Sequence, residues 1–251
     1  MPIRSRGAGV IAQTPGTWVP LWDLDCTAQD DHDLLTEGAY ADTTGVTTWD
    51  ITDDTILGNA SASVLKFENG TGLVITTSAD GEISVAQEIA TLYPGIGRED
   101  RVALVVDLDS SAFVANNQYV KWAIGTRTWG TSTLTVLDGF GGGAVYHGVY
   151  LRDGGGASVG GSIGAAVYDS LGLDFSDQQA RGYGKSSFAA PWTGWTALRR
   201  AGWNSQPNTA DDSRPTAADA WFQLALNRNA GPNLTLTVRR MAVYGWVPLF
   251  R

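Results

Sequence analysis

Residues 234–247 read Leu234-Thr235-Leu236-Thr237-Val238-Arg239-Arg240-Met241-Ala242-Val243-Tyr244-Gly245-Trp246-Val247. The first five residues alternate strictly, with Leu234, Leu236 and Val238 on one side and threonine between them, as a half-buried β-strand requires. Arg239-Arg240 break the phase. Beyond them Met241, Val243 and Val247 take one parity, while Ala242, Tyr244 and Trp246 take the other. Either the strand becomes buried on both faces after residue 240, or a bulge shifts its register. A strand this long and apolar belongs at the centre of a β-sandwich, and the rest of the sequence agrees with that placement.

Working outward, β-branched or alternating runs recur at Leu73–Thr77, Ile83–Ile89, Val102–Leu108, Tyr119–Gly125, Ser132–Leu137, Val145–Leu151, Ile163–Tyr168 and Trp221–Leu226. Turn signals separate most of them: Asn69-Gly70, Asp80-Gly81, Asp138-Gly139, Asp153-Gly154 and Asn229-Ala230-Gly231-Pro232. No helical pattern alternates with these strands, which excludes a doubly wound α/β fold. Short helical turns are expected at Thr193–Arg200 and Pro215–Ala220. The expected fold is all-β, a jelly-roll-like antiparallel sandwich over residues 23–251. It is preceded by an extended arm over residues 1–22 and interrupted by a long Trp-rich loop at 169–215.

Composition points the same way. Of 251 residues, 31 are Gly and ten are Trp, while Glu and Lys, both strong helix formers, are scarce. The net charge of -9 and pI near 4.6 argue against nucleic acid as partner, because phosphate affinity needs clustered Lys and Arg. No apolar run approaches the roughly 20 residues of a membrane-spanning helix, so no membrane insertion is expected. Val10-Ile11-Ala12 is too short for a secretory core, which makes synthesis in the cytoplasm the expectation. The single Cys26 stands among aspartates that oppose a thiolate, so an inert cysteine is expected. The arm is the one basic feature of an acidic chain. Arg4 and Arg6, with Trp18 and Trp22, make it the candidate assembly element.

Catalytic motifs fail on context. Gly156-Ala157-Ser158-Val159-Gly160 fits a nucleophile elbow, but both histidines, His32 and His147, precede the serine where that fold needs one after it. Ser63-Val64-Leu65-Lys66 lacks its companion motifs. The glycines from Gly139 run into Val145-Tyr146-His147 rather than a helix, and Gln179 stands where a phosphate loop ending at Gly184-Lys185-Ser186 needs glycine. The carboxylate pairs Asp23/Asp25 and Asp107/Asp109 share a strand face at neighbouring pleats and are better read as solvated strand ends. No metal or other cofactor is expected. Asp30, Asp31, His32 and Asp33 are the densest run of ligand types, yet four adjacent residues cannot converge on one ion. The binding candidates are Trp192, Trp195 and Trp203 beside Asp211 and Asp212: a tryptophan face stacks on sugar C–H surfaces, and Trp also fills subunit interfaces.

The Gly- and Trp-heavy strand layout, closing in residues 234–244, resembles the concanavalin-like jelly rolls of tailed-bacteriophage and gene-transfer-agent virions. The resemblance covers roughly residues 40 to 250 and is one of pattern. It implies a virion structural protein made in the host cytoplasm, of the tail-fibre head, spike or capsid-decoration type. Such a protein assembles through its arm with itself and other virion proteins and adheres to a host-surface glycan. The E-x-D-x-E strand of concanavalin-like glycosidases is absent, so a non-enzymatic role is the expectation. The alternatives are a lectin-like module and a polysaccharide-degrading jelly roll.

Overall fold

The structure is a computed structural model. It describes residues 16–249 apart from 38–39, 46–48, 55–63, 78–80, 97–100, 111–117, 126–132, 142–143, 153–157, 160–169, 176–178, 186–190, 192–195, 203–220 and 229–232. In chain order the strands begin with β1 (Gly16–Asp25), β2 (His32–Asp33), β3 (Asp50–Asp54), β4 (Val64–Glu68), β5 (Gly72–Thr77) and β6 (Gly81–Glu88). Then come β7 (Val102–Ser110), β8 (Gln118–Gly125), β9 (Thr133–Gly141), β10 (Ala144–Arg152) and β11 (Ser158–Val159). The last are β12 (Ser170–Phe175), β13 (Gln179–Lys185), β14 (Thr196–Gly202), β15 (Trp221–Arg228) and β16 (Leu234–Pro248). Helical structure among the described residues is one 3₁₀ turn, Cys26–Ala28, and one α-turn, α1 (Ile89–Leu92).

Two antiparallel sheets form. One has nine strands in the order β14-β13-β12-β7-β16-β5-β4-β2, with β1 also on β16; the other has seven, β11-β10-β9-β8-β15-β6-β3. β16 organises the first. β7 follows one of its edges from Leu236 to Gly245, while β5 pairs with Leu234–Val238 and β1 takes over from Arg240 to Pro248. Both readings of the phase break are realised. The register against β7 shifts between Val238 and Arg240, and beyond it Met241, Ala242, Val243 and Tyr244 are all buried. Ala242 and Tyr244 face away from the main core, forming a second cluster with Ala103 and Val105 against Trp18.

Between the sheets, alternate residues of each strand fill the core: Leu104 and Val106 with Met241 and Val243 on one side, Ile83, Val85, Leu224 and Leu226 on the other. Phe222 is its aromatic hub, with ring centroids 5.3 Å from Trp122, 5.8 Å from Trp22 and 6.1 Å from Trp49. The Asn69-Gly70 signal is the β4–β5 hairpin, closed by the Thr71 N–H on the Glu68 carbonyl at 2.9 Å. Gly72, at φ +126°, starts β5 where any Cβ would stand 2.4 Å from the Val238 carbonyl, so only glycine fits.

Two expected boundaries are corrected. Gly16–Asp25 is a strand of the sandwich, with Trp22 in the core, so the last seven residues of the expected arm, 16–22, belong to the body. Its alternation is hidden by Pro20 and by an irregularity between Pro20 and Trp22. The expected loop at 169–215 contains β12, β13 and β14, and the turn read as helical at Thr193–Arg200 is largely strand Thr196–Gly202. Glycines at 172, 182 and 184 remove the side chains that carry a strand's period, which is why β12 and β13 read as loop. Met1–Pro15, Ile163–Tyr168 and Pro215–Ala220 lie outside the described residues.

Candidate functional site

A sandwich offers two outer faces, and strand alternation decides which residues each receives. On the nine-stranded sheet, β16 and its neighbours place Asp23, Asp107 and Asp109 outward with two arginines. Arg240 Nε donates to Asp23 Oδ1 at 2.7 Å, and its Nη2 reaches the other carboxylate oxygen. Arg239, standing at the bulge, donates through Nε to Asp107 Oδ2 at 3.1 Å and through Nη2 to the Leu108 carbonyl at 3.0 Å, with Nη1 3.7 Å from Asp109 Oδ2. Asp25 Oδ1 accepts from the Thr27 N–H and hydroxyl at 2.9 and 2.7 Å, which caps the 3₁₀ turn. Both carboxylate pairs noted in the sequence are therefore engaged in holding the fold. Burial, and then Asp23, push the Tyr244 hydroxyl pKa up, with Arg240 opposing.

The ligand-type run at residues 30–33 is dispersed in the same way. Asp31 Oδ1 accepts the Asn69 N–H at 2.7 Å, Asp33 Oδ1 accepts the Leu35 N–H at 2.8 Å, and His32 Nδ1 lies 3.1 Å from Glu37 Oε2 with its ring stacked on Tyr40. Beneath them Gln29, fully buried, donates to the Asp25 carbonyl and Thr43 Oγ1 and accepts from Thr43 N–H, fixing the loop. Among the described residues no three His, Cys, Asp or Glu gather as a ligand set. Cys26 is buried, and desolvation first, then Asp25, drive its thiol pKa far upward. Trp18 lies on β1 at 5.2 Å from Trp246, and the Arg101 guanidinium stands over both rings at 5.0 and 5.2 Å. Arg4, Arg6, Trp192, Trp195, Trp203, Asp211 and Asp212 lie outside the described residues.

The seven-stranded sheet is different. Ile83 and Val85 of β6 and Phe222, Leu224 and Leu226 of β15 point into the core, so Ser84, Ala86, Trp221 and Gln223 stand on the opposite face. Ser84 is 1% exposed, Ala86 2% and Gln223 9%, and Gln223 Nε2 donates to Ser84 Oγ at 2.9 Å. An amide and a hydroxyl are thus buried on the side of the sheet away from the described core. In register, Ala86 stands between Asp50 of β3 and Gln223, and Trp221 pairs with Glu88. Sequence reading passed over Ser84 and Gln223. Each is one polar residue inside an apolar run, and only the register brings them together.

No family model matches the chain, and no curated protein is similar to it in sequence. Solved structures are similar in shape. SCLam, a non-specific endo-beta-1,3(4)-glucanase from family GH16, aligns over 92% of this chain and 92% of its own, with a TM-score of 0.53 at 12% identity. A Bacteroides ovatus GH16 protein of a mixed linkage glucan locus aligns over 89% and 99%, with a TM-score of 0.50 at 8% identity. The fold is a jelly roll. A carbohydrate esterase of the Shiga toxin-encoding bacteriophage phi24B aligns over 91% and 99%, at a TM-score of 0.47 and 12% identity. The expected exclusion of enzymatic activity is corrected by the two GH16 likenesses. Full-length jelly rolls of this shape include glycoside hydrolases, so the failure of short sequence motifs does not make this chain a non-enzyme.

Proposed function

We propose that this chain is a carbohydrate-recognising jelly roll whose glycan lies across the outer face of the seven-stranded sheet. The observation that carries the reading is the Gln223–Ser84 pair, a buried hydrogen-bonded amide and hydroxyl on the face away from the core. Burying such groups costs free energy unless they are satisfied, and here they satisfy each other across β6 and β15. The comparison adds support: SCLam, on the same fold, is described as a glucanase. Trp192, Trp195 and Trp203 join the proposal as stacking residues. Affinity electrophoresis against a panel of polysaccharides tests it. Retardation by at least one polymer, lost in Gln223→Ala, is the expected result; no retardation by any would overturn the reading.

A hydrolytic version is favoured by the likeness to SCLam, described as an endo-beta-1,3(4)-glucanase. New reducing ends released from a bound polysaccharide would establish it. For the place of work we propose a phage or gene-transfer-agent particle, on the strand-pattern resemblance, with itself and other virion proteins as partners. Presence of the chain in purified particles tests that placement.

A further inference from the structure

We infer that Asn69 is a site of deamidation, and that the fold holds the reaction back by fastening the β4–β5 turn to residues 27–31. The turn belongs to the nine-stranded sheet, so this assignment does not depend on the glycan reading. Asn69-Gly70 is the one asparagine–glycine pair of the sequence. Glycine leaves the backbone nitrogen after asparagine unshielded by a side chain, free to approach the asparagine amide carbon. Both residues are exposed, and nothing stands within 4 Å of where a Cβ on Gly70 would lie, so water and room to open are at hand.

The reacting groups are nevertheless engaged. The Gly70 N–H donates to the Thr27 carbonyl at 2.8 Å, and Asn69 Nδ2 donates to the Gln29 carbonyl at 3.0 Å. The Asn69 N–H donates to Asp31 Oδ1 at 2.7 Å. Gln29 is itself anchored, buried with its side chain on the Asp25 carbonyl and Thr43. Deamidation begins when the Gly70 amide gives its proton to hydroxide and its nitrogen pair attacks Asn69 Cγ. The N–Cγ bond forms, the Cγ–Nδ2 bond breaks, and Nδ2 leaves as ammonia with a proton from water. Water then opens the succinimide at either carbonyl, giving aspartate or isoaspartate, so one water is consumed for each ammonia released. Attack requires Gly70 to leave Thr27 and the Asn69 side chain to leave Gln29, so the fastened turn is held out of the reacting geometry. Afterwards an acceptor oxygen stands where Nδ2 donated to the Gln29 carbonyl, with the Asp31 carboxylate alongside. Isoaspartate also lengthens the backbone ahead of the Gly70 N–H. Neither product restores the Asn69–Gln29 bond, so the change unfastens the turn from residues 27–31.

The test incubates the full chain at mildly alkaline pH and follows by peptide mass mapping the gain at Asn69 as its amide becomes an acid. In urea the gain should accumulate at least about tenfold faster than in the folded chain. Asp31→Ala, which removes one exposed attachment, should deamidate at a rate between those two. Asn69→Asp imitates the product, and should raise amide hydrogen exchange over residues 27–31 and 69–71 while exchange in β7 and β16 is unchanged. Equal rates in the folded and denatured chain, or no gain in either, would overturn the inference. So would a folded Asp31→Ala that deamidates no faster than the unmodified chain, or exchange over residues 27–31 left untouched by Asn69→Asp.

Discussion

The two outer faces of this sandwich are built from the same alternating strands but treat polar groups in opposite ways. On the nine-stranded sheet charge is consumed: Arg239 and Arg240 bind Asp107 and Asp23, and Ala103, Val105, Ala242 and Tyr244 form an apolar patch. On the seven-stranded sheet the described buried groups are neutral, and Gln223 donates to Ser84. The first arrangement fastens β1 and β7 to β16. The second closes a buried side-chain hydrogen bond between β15 and β6 on the side of the sheet away from the core.

Substitutions separate the two faces. The largest effect is expected at Gly72→Val, which combines a positive φ with a Cβ 2.4 Å from the Val238 carbonyl. Chemical denaturation should show a loss of about 3 kcal/mol or failure to fold, since the backbone carbonyl cannot move aside. Next comes Arg239→Ala, which strips Asp107 and the Leu108 carbonyl of their donor and should cost about 1.5–3 kcal/mol in the same assay, with glycan retardation unchanged. Gln223→Ala should invert that result. It should lose only about 1 kcal/mol of stability but most of the binding.

The smallest effect is a pH dependence. Burial raises the Tyr244 pKa in the folded chain, so the unfolded chain ionises first as pH climbs. The associated stability is present below the ordinary tyrosine range and is lost as pH rises through it, and Tyr244→Phe should flatten that slope between about pH 8 and about pH 11. A slope that persists unchanged in the variant would place the ionisation elsewhere.

Much of the nine-stranded side was legible in the sequence because its central strand is apolar and long. Residues 234–247 announced both the alternation and its interruption at Arg239-Arg240. The Asn69-Gly70 hairpin followed from turn chemistry alone. β12, β13 and β14 did not, since glycine carries no hydropathy signal, and β1 was masked by Pro20 and its bulge. The site was less legible still. Asp107 and Asp109 looked like a carboxylate pair because i, i+2 spacing is visible along a chain. Their arginine, 132 residues away for Asp107, is not. Ser84 and Gln223 are 139 residues apart and meet only through the β6–β15 register. A polar pair between sequence-distant strands has no local signature.

The central claim is that the seven-stranded face, and not the nine-stranded one, receives a glycan. Its most direct measurement is affinity electrophoresis of Gln223→Ala and Arg239→Ala side by side in the polysaccharide that retards the unmodified chain. The account predicts that Gln223→Ala runs free while Arg239→Ala, though less stable, is still retarded. Retardation kept by Gln223→Ala and lost by a folded Arg239→Ala would contradict it.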